Sequence, residues 1–476
     1  MTTTNKGPTL TDAKGMGGII AQDGFDYQVW DALIRLPAWL RNPGFEGFIV
    51  EGIEDVEARF FAPHAPRGHL LDRFQSKSGV LDRAGLIEVF KSFQTFEIAH
   101  PAAARAQTLV TPALPPKLTW LARDSERVCR ARPFYAPFAD IHAASDEKLR
   151  ADLVDEFGAD LGDFLADAIE VSRRPVSDRG TAEAAFLTAL QKQFPNLDIS
   201  TRKLSAAFAA LNDLAAQARG SMLTRAHLLD TLRDVLSDDL VPHRHILAVH
   251  VRSDRNGAVA DAIEIDASGF SGSPAGYPET ARWRDELLNP LIVAATWARQ
   301  HGFTRVALSG SYRLSTAFSL GWAFRSAIGF DIDIPIRSGS WATDAHPAPS
   351  GAALPWSIEQ PNALVGDCLV VGVGILRDPA PDILKKWTIA NRGWLLLATL
   401  PQALANDVDV QASIRTIKAA ISEAVARLRP VKIDLCYVGP AAFAVALGHR
   451  WNALPPTQLH EFVAADGSYN PTALIQ

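Results

Sequence analysis

Twice in its last third the sequence runs a short apolar strand into a glycine turn and then into a helix of small and apolar residues. Arg305–Ser309 (RVALS) leads through Gly310 to STAFSLGWAF, and Lys432–Val438 (KIDLCYV) leads through Gly439-Pro440 to AAFAVALGHRW. Aligning Leu320-Gly321 with Leu447-Gly448 also pairs Ala317 with Ala444. Strand, turn and helix in that order form the opening half of a βαβ crossover. Two such units predict two Rossmann-like halves related by pseudo-symmetry, although any two α/β units share part of this pattern.

At 476 residues the chain exceeds one ordinary core, and an α/β protein of two domains is expected. Its 47% hydrophobic and 21% charged residues are ordinary for a soluble protein. A net charge of −6 argues against a surface that coats nucleic acid, so any DNA contact must be a local patch. Cys129, Cys368 and Cys436 are far apart and form no CxxC pair, which supports neither a disulfide framework nor a zinc knuckle. A reducing cytoplasm is the expected location. The segment MTTTNKGPTLTDAKGMGG lacks the apolar core of a signal peptide, and the runs Leu369–Leu376 and Trp394–Leu400 read as buried strands rather than membrane spans.

Along the first half, residues 1–22 read as a flexible lead-in. Phe25, Val29, Ala32, Leu33 and Leu36 then recur at helical spacing until Pro37 interrupts or kinks the helix. Phe48–Val50, Asp55–Phe61, Leu70–Ser78 and Thr108–Thr111 read as strands. Residues 140–235 turn Ala/Leu-rich and are expected to form a helical connector completing a first domain at 1–235. His245–Val251 then opens a strand-rich domain at 236–476.

Phosphodiester hydrolysis at neutral pH calls for a metal that binds phosphate oxygens and acidifies water, and Mg2+ prefers oxygen ligands. One arrangement that supplies them sets a carboxylate ahead of a strand carrying (D/E/Q)-x-K. Alternation puts both groups of that motif on one face. Here Asp55 precedes Gln75-Ser76-Lys77 by 75 − 55 = 20 residues, room for a strand, a loop and a returning strand. Asp55 and Gln75 would be the metal ligands, and Lys77 would steady the attacking hydroxide or the scissile phosphate. Alternation places Arg73 with Gln75 and Lys77, Phe74 toward the core, and Asp55 on a face with Glu57 and Arg59. Glu51 and Glu54 are reserves. Gln28 either turns toward this site from the edge of the first helix or caps a core contact, and Glu57 either joins the ligands or does not.

The stretches GGIIAQDGFDYQVWDAL, IVEGIEDVEARF and FQSKSG, in this order, resemble the N-terminal domain of the CD-NTase-associated dsDNA endonucleases, effectors of CBASS antiphage defence. That resemblance implies a restriction-endonuclease-like α/β/α domain of the PD-(D/E)xK type. It also implies Mg2+-dependent cleavage of double-stranded DNA by Asp55, Gln75 and Lys77. The Gln before the Lys is the family's own choice. The remainder, with RVALSGSYRLSTAFSLGWAF, DIPIRSGSW, CLVVGVGI and KIDLCYVGPAAFAVALGHRWNALPPTQLHEF, resembles a SAVED domain, two fused CARF-like Rossmann halves. It implies binding of a cyclic oligonucleotide made by a CD-NTase, most often a cyclic trinucleotide. A ligand-induced homo-oligomer that brings nuclease domains together is part of the same expectation.

Loops after the strands of a Rossmann-like sheet receive anions, because helix N-terminal amides face them. Ser309, Gly310, Ser311 and Arg313 sit on one such loop, with Gly439 and Pro440 on its counterpart. Arg313 is either a phosphate ligand or a solvated surface side chain. Trp341, after Ser338-Gly339-Ser340, is either a stacking platform for a base or a plug between loop and core. Arg392 is a weaker phosphate ligand. No Walker loop is present, which excludes the usual NTP-driven motor. His243, His245 and His250 lie close together without a nearby Cys, and a zinc site is not expected. Two other function classes stay open: a non-catalytic nucleotide sensor whose first domain binds DNA or a partner, and a nucleoside- or NAD-processing Rossmann enzyme.

Overall fold

The computed structural model describes residues 13–135, 139–174, 176, 178–195, 200–236, 246–253, 261–272, 276–345, 354–360, 367–387, 394–465 and 467–476. The chain divides into two compact units, Met1–Pro242 and His243–Gln476.

The first unit opens with α1 (Ala13–Arg41), which begins inside the segment read from sequence as a lead-in and runs straight through Pro37. Proline removes one helix hydrogen bond and crowds the preceding turn. The helix survives because Pro37 is itself buried and Trp39 and Leu40 beyond it are anchored in the core. Three antiparallel strands follow: β1 (Phe45–Val50), β2 (Val56–Phe61) and β3 (His69–Ser76). The helix α2 (Arg83–Ala99), capped by the Asp82 carboxylate on the Gly85 amide at 2.8 Å, leads to β4 (Ala104–Thr111), parallel to β3.

The Ala/Leu-rich stretch is more than a connector. After α3 (Thr119–Tyr135) it supplies α4 (Ala139–Phe157) and α5 (Ala159–Ala168), then β5 (Ile169–Arg173), a parallel sheet strand next to β4. After α6 (Arg179–Gln193) and α7 (Thr201–Gln217), the two-residue β6 (Leu223–Thr224) closes the other edge on β1, before α8 (Arg225–Leu236). The sheet order is β5-β4-β3-β2-β1-β6. Side-chain alternation feeds two cores: Phe48, Phe60, Phe74 and Val110 pack with α1, α6, α7 and α8, while Leu109 and Val171 pack with α2, α3 and α5. The result is a three-layer α/β/α unit.

The second unit holds two sheets. β7 (Ile246–Arg252) and β8 (Ile263–Asp266) precede a helix that runs from α9 (Thr280–Trp283) through a π turn at Arg284–Leu288 into α10 (Asn289–Gln300). Then come β9 (Arg305–Gly310), α11 (Leu314–Ala323), β10 (Asp331–Ile336) and β11 (Gly339–Ala342), with sheet order β11-β10-β9-β7-β8. The second half comprises β12 (Ser357–Glu359), β13 (Cys368–Ile375), α12 (Ala380–Lys386), β14 (Trp394–Leu400), α13 (Asp407–Leu428), β15 (Lys432–Val438), α14 (Ala441–His449), β16 (Thr457–Val463) and β17 (Ser468–Ile475). Its order is β12-β14-β13-β15-β16-β17, parallel except at the two edges. Every residue of β13 is buried, as a central parallel strand covered on both faces requires.

The internal repeat becomes a physical contact where α11 meets α14. A Cβ on Gly321 would stand 1.9 Å from the Val445 carbonyl oxygen, and one on Gly448 would stand 2.1 Å from the Phe318 carbonyl oxygen. The offsets agree, 448 − 321 = 445 − 318, so the residue each glycine meets is the equivalent of the one met by the other glycine. The two helices therefore cross backbone to backbone about a local pseudo-dyad, and only glycine fits at the crossing.

Candidate functional site

In the first unit, the structure brings Asp55, Gln75 and Lys77 together. Asp55 lies just before β2 in a five-residue turn that Glu51 closes: its amide donates to the Asp55 carbonyl at 2.8 Å, and its φ is +57°. Asp55 precedes β2 by one residue, yet its side chain meets Gln75, the residue the register of Glu57 with Arg73 sets opposite it, on the face that alternation gives Asp55 and Glu57. Asp55 Oδ2 accepts from Gln75 Nε2 at 2.6 Å and from the Ser76 amide at 2.8 Å, with Lys77 Nζ at 3.4 Å. The Lys77 amide donates to Val110 at 2.9 Å, which continues the β3–β4 ladder and fixes the lysine's direction. Burial pushes the Asp55 carboxyl above its ordinary range, and Lys77 and the Ser76 amide pull the other way. An oxyanion held by a lysine in a largely desolvated position is a place where charge is poised for chemistry.

The donor set fits a magnesium ion. All three contacts go to Oδ2, and among the described residues Oδ1 has no hydrogen-bond partner, which leaves it open to coordinate. Among those residues no group of three or more His, Cys, Asp or Glu side chains could hold a metal. Magnesium commonly keeps several waters and takes one or two carboxylates, so Asp55 with the Gln75 carbonyl oxygen is a sufficient protein share. The Gln75 amide would turn over to present that oxygen.

The other acidic residues are committed elsewhere. Glu54 is buried against Arg73 at 2.6 Å and Ser92 at 2.9 Å, and Arg73 also reaches Gln107. Glu57 receives the Ile53 amide at 3.3 Å and faces Arg73, and Glu51 pairs with Arg219. Gln28 keeps Oε1 buried without a partner among the described residues. One turn along, Asp31 on the same helix is buried against Arg35, Arg174 and Ser76 Oγ. Ser76 thus links Asp31 to Asp55, a connection that spacing did not reveal.

In the second unit a cavity of about 320 Å³ opens where the loops after β9 and β13 meet the carboxyl ends of β15 and β16, the kind of crevice where such folds take ligands. Arg313 and Arg377 supply positive charge, and Tyr277, Tyr312, Tyr437 and Phe462 supply flat apolar surface. Arg313 is anchored through Nε to the Ser271 carbonyl at 2.7 Å. Arg377 pairs with Asp382 and lies 5.3 Å from the Phe462 ring centroid. Glu461, 5% exposed, forms part of the wall and accepts the Ser315 amide at 2.6 Å. The N-terminus of α11 is therefore already occupied by a protein carboxylate. Burial raises the Glu461 carboxyl, and it pushes the Tyr312 phenol up to about 12.

Of the expected ligand residues, only Arg313 lines this cavity. Ser309 bonds His250 at 3.0 Å and Ser311 bonds Ser253 at 2.6 Å, beside it rather than in it. A Cβ on Gly310 would stand 2.1 Å from the Val251 carbonyl oxygen, a structural reason for that glycine. Gly439 and Pro440 directly follow the lining residue Val438. Trp341 is 7% exposed within β11 and offers no open face. Arg392, His243 and His245 lie outside the described residues. The sequence reading missed Arg377 and Glu461. Arg377 closely follows the apolar run of β13, and Glu461 stands at an inward position of a strand, the signal that could have found it.

Residues 291–475 match the family model described as SAVED, the SMODS-associated and fused to various effectors sensor domain. Over 98% of its length the chain is similar to the CD-NTase-associated protein 4 of Moraxella osloensis, 23% identical across 98% of that protein. It is similarly related to the protein of that name from an Acinetobacter species, 21% identical with 98% coverage of each. Among solved structures, the Acinetobacter baumannii Cap4 SAVED/CARF-domain containing receptor with the cyclic trinucleotide 2′3′3′-cAAA superposes with a TM-score of 0.78. Identity there is 20%, covering 95% of this chain and 98% of that one. The Moraxella osloensis Cap4 receptor gives a TM-score of 0.75 at 20% identity, covering 96% and 100%. The fold is that of the SAVED/CARF-domain receptors. Among the described residues, no helix is long and apolar enough to cross a membrane.

Proposed function

We propose that this chain is a CBASS effector in which a cyclic oligonucleotide, most simply a cyclic trinucleotide, occupies the second unit's cavity and switches on Mg2+-dependent cleavage of double-stranded DNA by the first. The observation that carries the nuclease reading is the convergence of Gln75, the Ser76 amide and Lys77 on one Asp55 oxygen. The sensor reading is supported by the match to the SAVED model and by a cavity that combines two arginines with aromatic walls. Phosphates pair with the former and bases stack on the latter.

Magnesium, when bound, lowers the pKa of a water and offsets phosphate charge. The chain's own groups would do the positioning: Asp55 and, with its amide turned over, Gln75 would hold the ion by oxygen, and Lys77 would steady the hydroxide or a phosphate oxygen. A DNase that cuts without selectivity needs a gate, and a ligand acts as one only by binding the active arrangement better than the inactive one. Ligand-driven assembly of neighbouring SAVED domains is the arrangement proposed here.

The test is plasmid DNA incubated with Mg2+ and a panel of cyclic tri- and dinucleotides. Degradation is expected with the cognate ring alone. Lys77→Ala and Asp55→Asn should abolish cutting and leave ring binding intact. Intact plasmid under every ligand, despite measurable ring binding, would refute the enzyme. It would favour a non-catalytic sensor, a reading consistent with the Gln75 amide presenting its N–H rather than its oxygen to Asp55.

A further inference from the structure

The turn after β13 is built against its own conformational preferences. Leu376 has a φ of +65°, a left-handed conformation that a non-glycine residue adopts only when its surroundings hold it there. Its amide donates to the Leu400 carbonyl at 2.8 Å. A Cβ on Gly374 would stand 2.1 Å from the Arg377 carbonyl oxygen, so the turn folds back tightly on its own strand. Arg377 enters the cavity wall, and Leu376, the residue before it, is 63% exposed and lies outside the lining. Strain of this kind persists at sites where ligands are held, and an exposed leucine gains nothing from folding there.

The cavity's size says what the leucine is for. At about 320 Å³ it falls at the lower end of the roughly 300–1,000 Å³ that enclose a drug-sized ligand. A ring of three nucleotides is larger than such a ligand, so on the sensor reading above part of the ring would lie over the cavity's rim. We infer that Leu376 is a ligand contact on that rim, presented by the strained turn to cover an apolar face of a base or sugar of the ring that the cavity does not enclose. The inference rests on the sensor reading above and assigns a specificity residue to it: Leu376 distinguishes a ring from a single nucleotide.

Leu376→Gly and Leu376→Asn both tolerate the left-handed conformation and remove the apolar contact. The probes are 3′3′3′-cAAA, the ligand of an Acinetobacter baumannii receptor of this fold, and AMP, titrated into the full-length wild type and both variants. Ring affinity is expected to fall about tenfold in both variants, the order of a half-buried leucine contact, while AMP affinity stays as in the wild type. The melting temperature of Leu376→Gly should hold or rise, since strain is relieved and little packing is lost. Equal ring affinity in wild type and variants would overturn the contact. Parallel loss of AMP and ring affinity would overturn it too, because the turn would then serve only to position Arg377. A wild type that takes up AMP and no cyclic oligonucleotide would remove the sensor reading and this inference with it.

Discussion

The crossing of α11 and α14 allows the most direct test of the fold from a single methyl group. Gly321→Ala places a Cβ 1.9 Å from the Val445 carbonyl oxygen and 2.7 Å from the His449 amide nitrogen, where real Cβ atoms keep at least 3.0 Å. Both opposing atoms are backbone, so no side chain can swing aside. The helices must part by more than 3.0 − 1.9 = 1.1 Å at that point. Overpacking of this kind costs about 1–3 kcal/mol and sometimes more, and alanine's better helix propensity returns about 1 kcal/mol. A clash with backbone belongs at the upper end, so a net loss of about 2 kcal/mol is expected. In a unit of this size that lowers the melting temperature by about 4–8 °C. Because Gly448 meets Phe318 across the same crossing, helices parted by one alanine already accommodate the second. Gly321→Ala with Gly448→Ala should therefore cost clearly less than the sum of the singles. The control is Gly24→Ala in α1, where the new methyl meets nothing within 4 Å and should stabilise slightly. Calorimetry of the wild type and the four variants decides it: Gly321→Ala at wild-type stability, or strictly additive singles, would refute the reciprocal contact.

Two further perturbations follow from buried charge. Arg73 and Glu54 are 1% and 4% exposed and are paired at 2.6 Å. Arg73→Met strands the carboxylate and should cost about 3–5 kcal/mol, whereas adding Glu54→Gln should recover much of it in urea denaturation; a double variant no more stable than Arg73→Met would mean the pair is not the cause. His449 is fully buried, with Nε2 on the Phe330 carbonyl at 2.8 Å, and burial lowers its pKa from 6.5 to about 4. The unfolded chain therefore takes the proton first: stability contributed by the neutral ring is complete above pH 6.5 and is lost as pH falls toward 4, by about 3 kcal/mol in all. His449→Gln should flatten that part of the stability–pH curve, and an unchanged slope between these pH values would assign the acid sensitivity to other groups.

What the sequence made legible, and what it hid, follows from how far apart the interacting residues lie. The strand–glycine–helix units were readable because each is local, and their glycines acquire a cause only where Gly321 and Gly448 meet across the crossing. Asp55, Gln75 and Lys77 were findable as a spaced set, because the two strands that carry them are sequence neighbours that pair directly. Alternation also held at Asp55, which lies just outside β2 and meets Gln75 as Glu57 meets Arg73 two residues further along. Residues whose partners are remote could not be read at all. Arg73 has the pattern of a solvated strand residue, yet Glu54, Gln107 and the Phe96 ring at 3.6 Å bury it completely. β5 had the composition of a helical connector because its pairing partner β4 lies across three intervening helices. Glu461 and Arg377 are the instructive case. A carboxylate inside an alternating apolar strand and an arginine in a turn its backbone resists are each unfavourable alone, and each is explained by one cavity that both line. In both cases a residue that fits its own element poorly is one that lines the cavity, so local disagreement with folding rules points to the same place as the geometry.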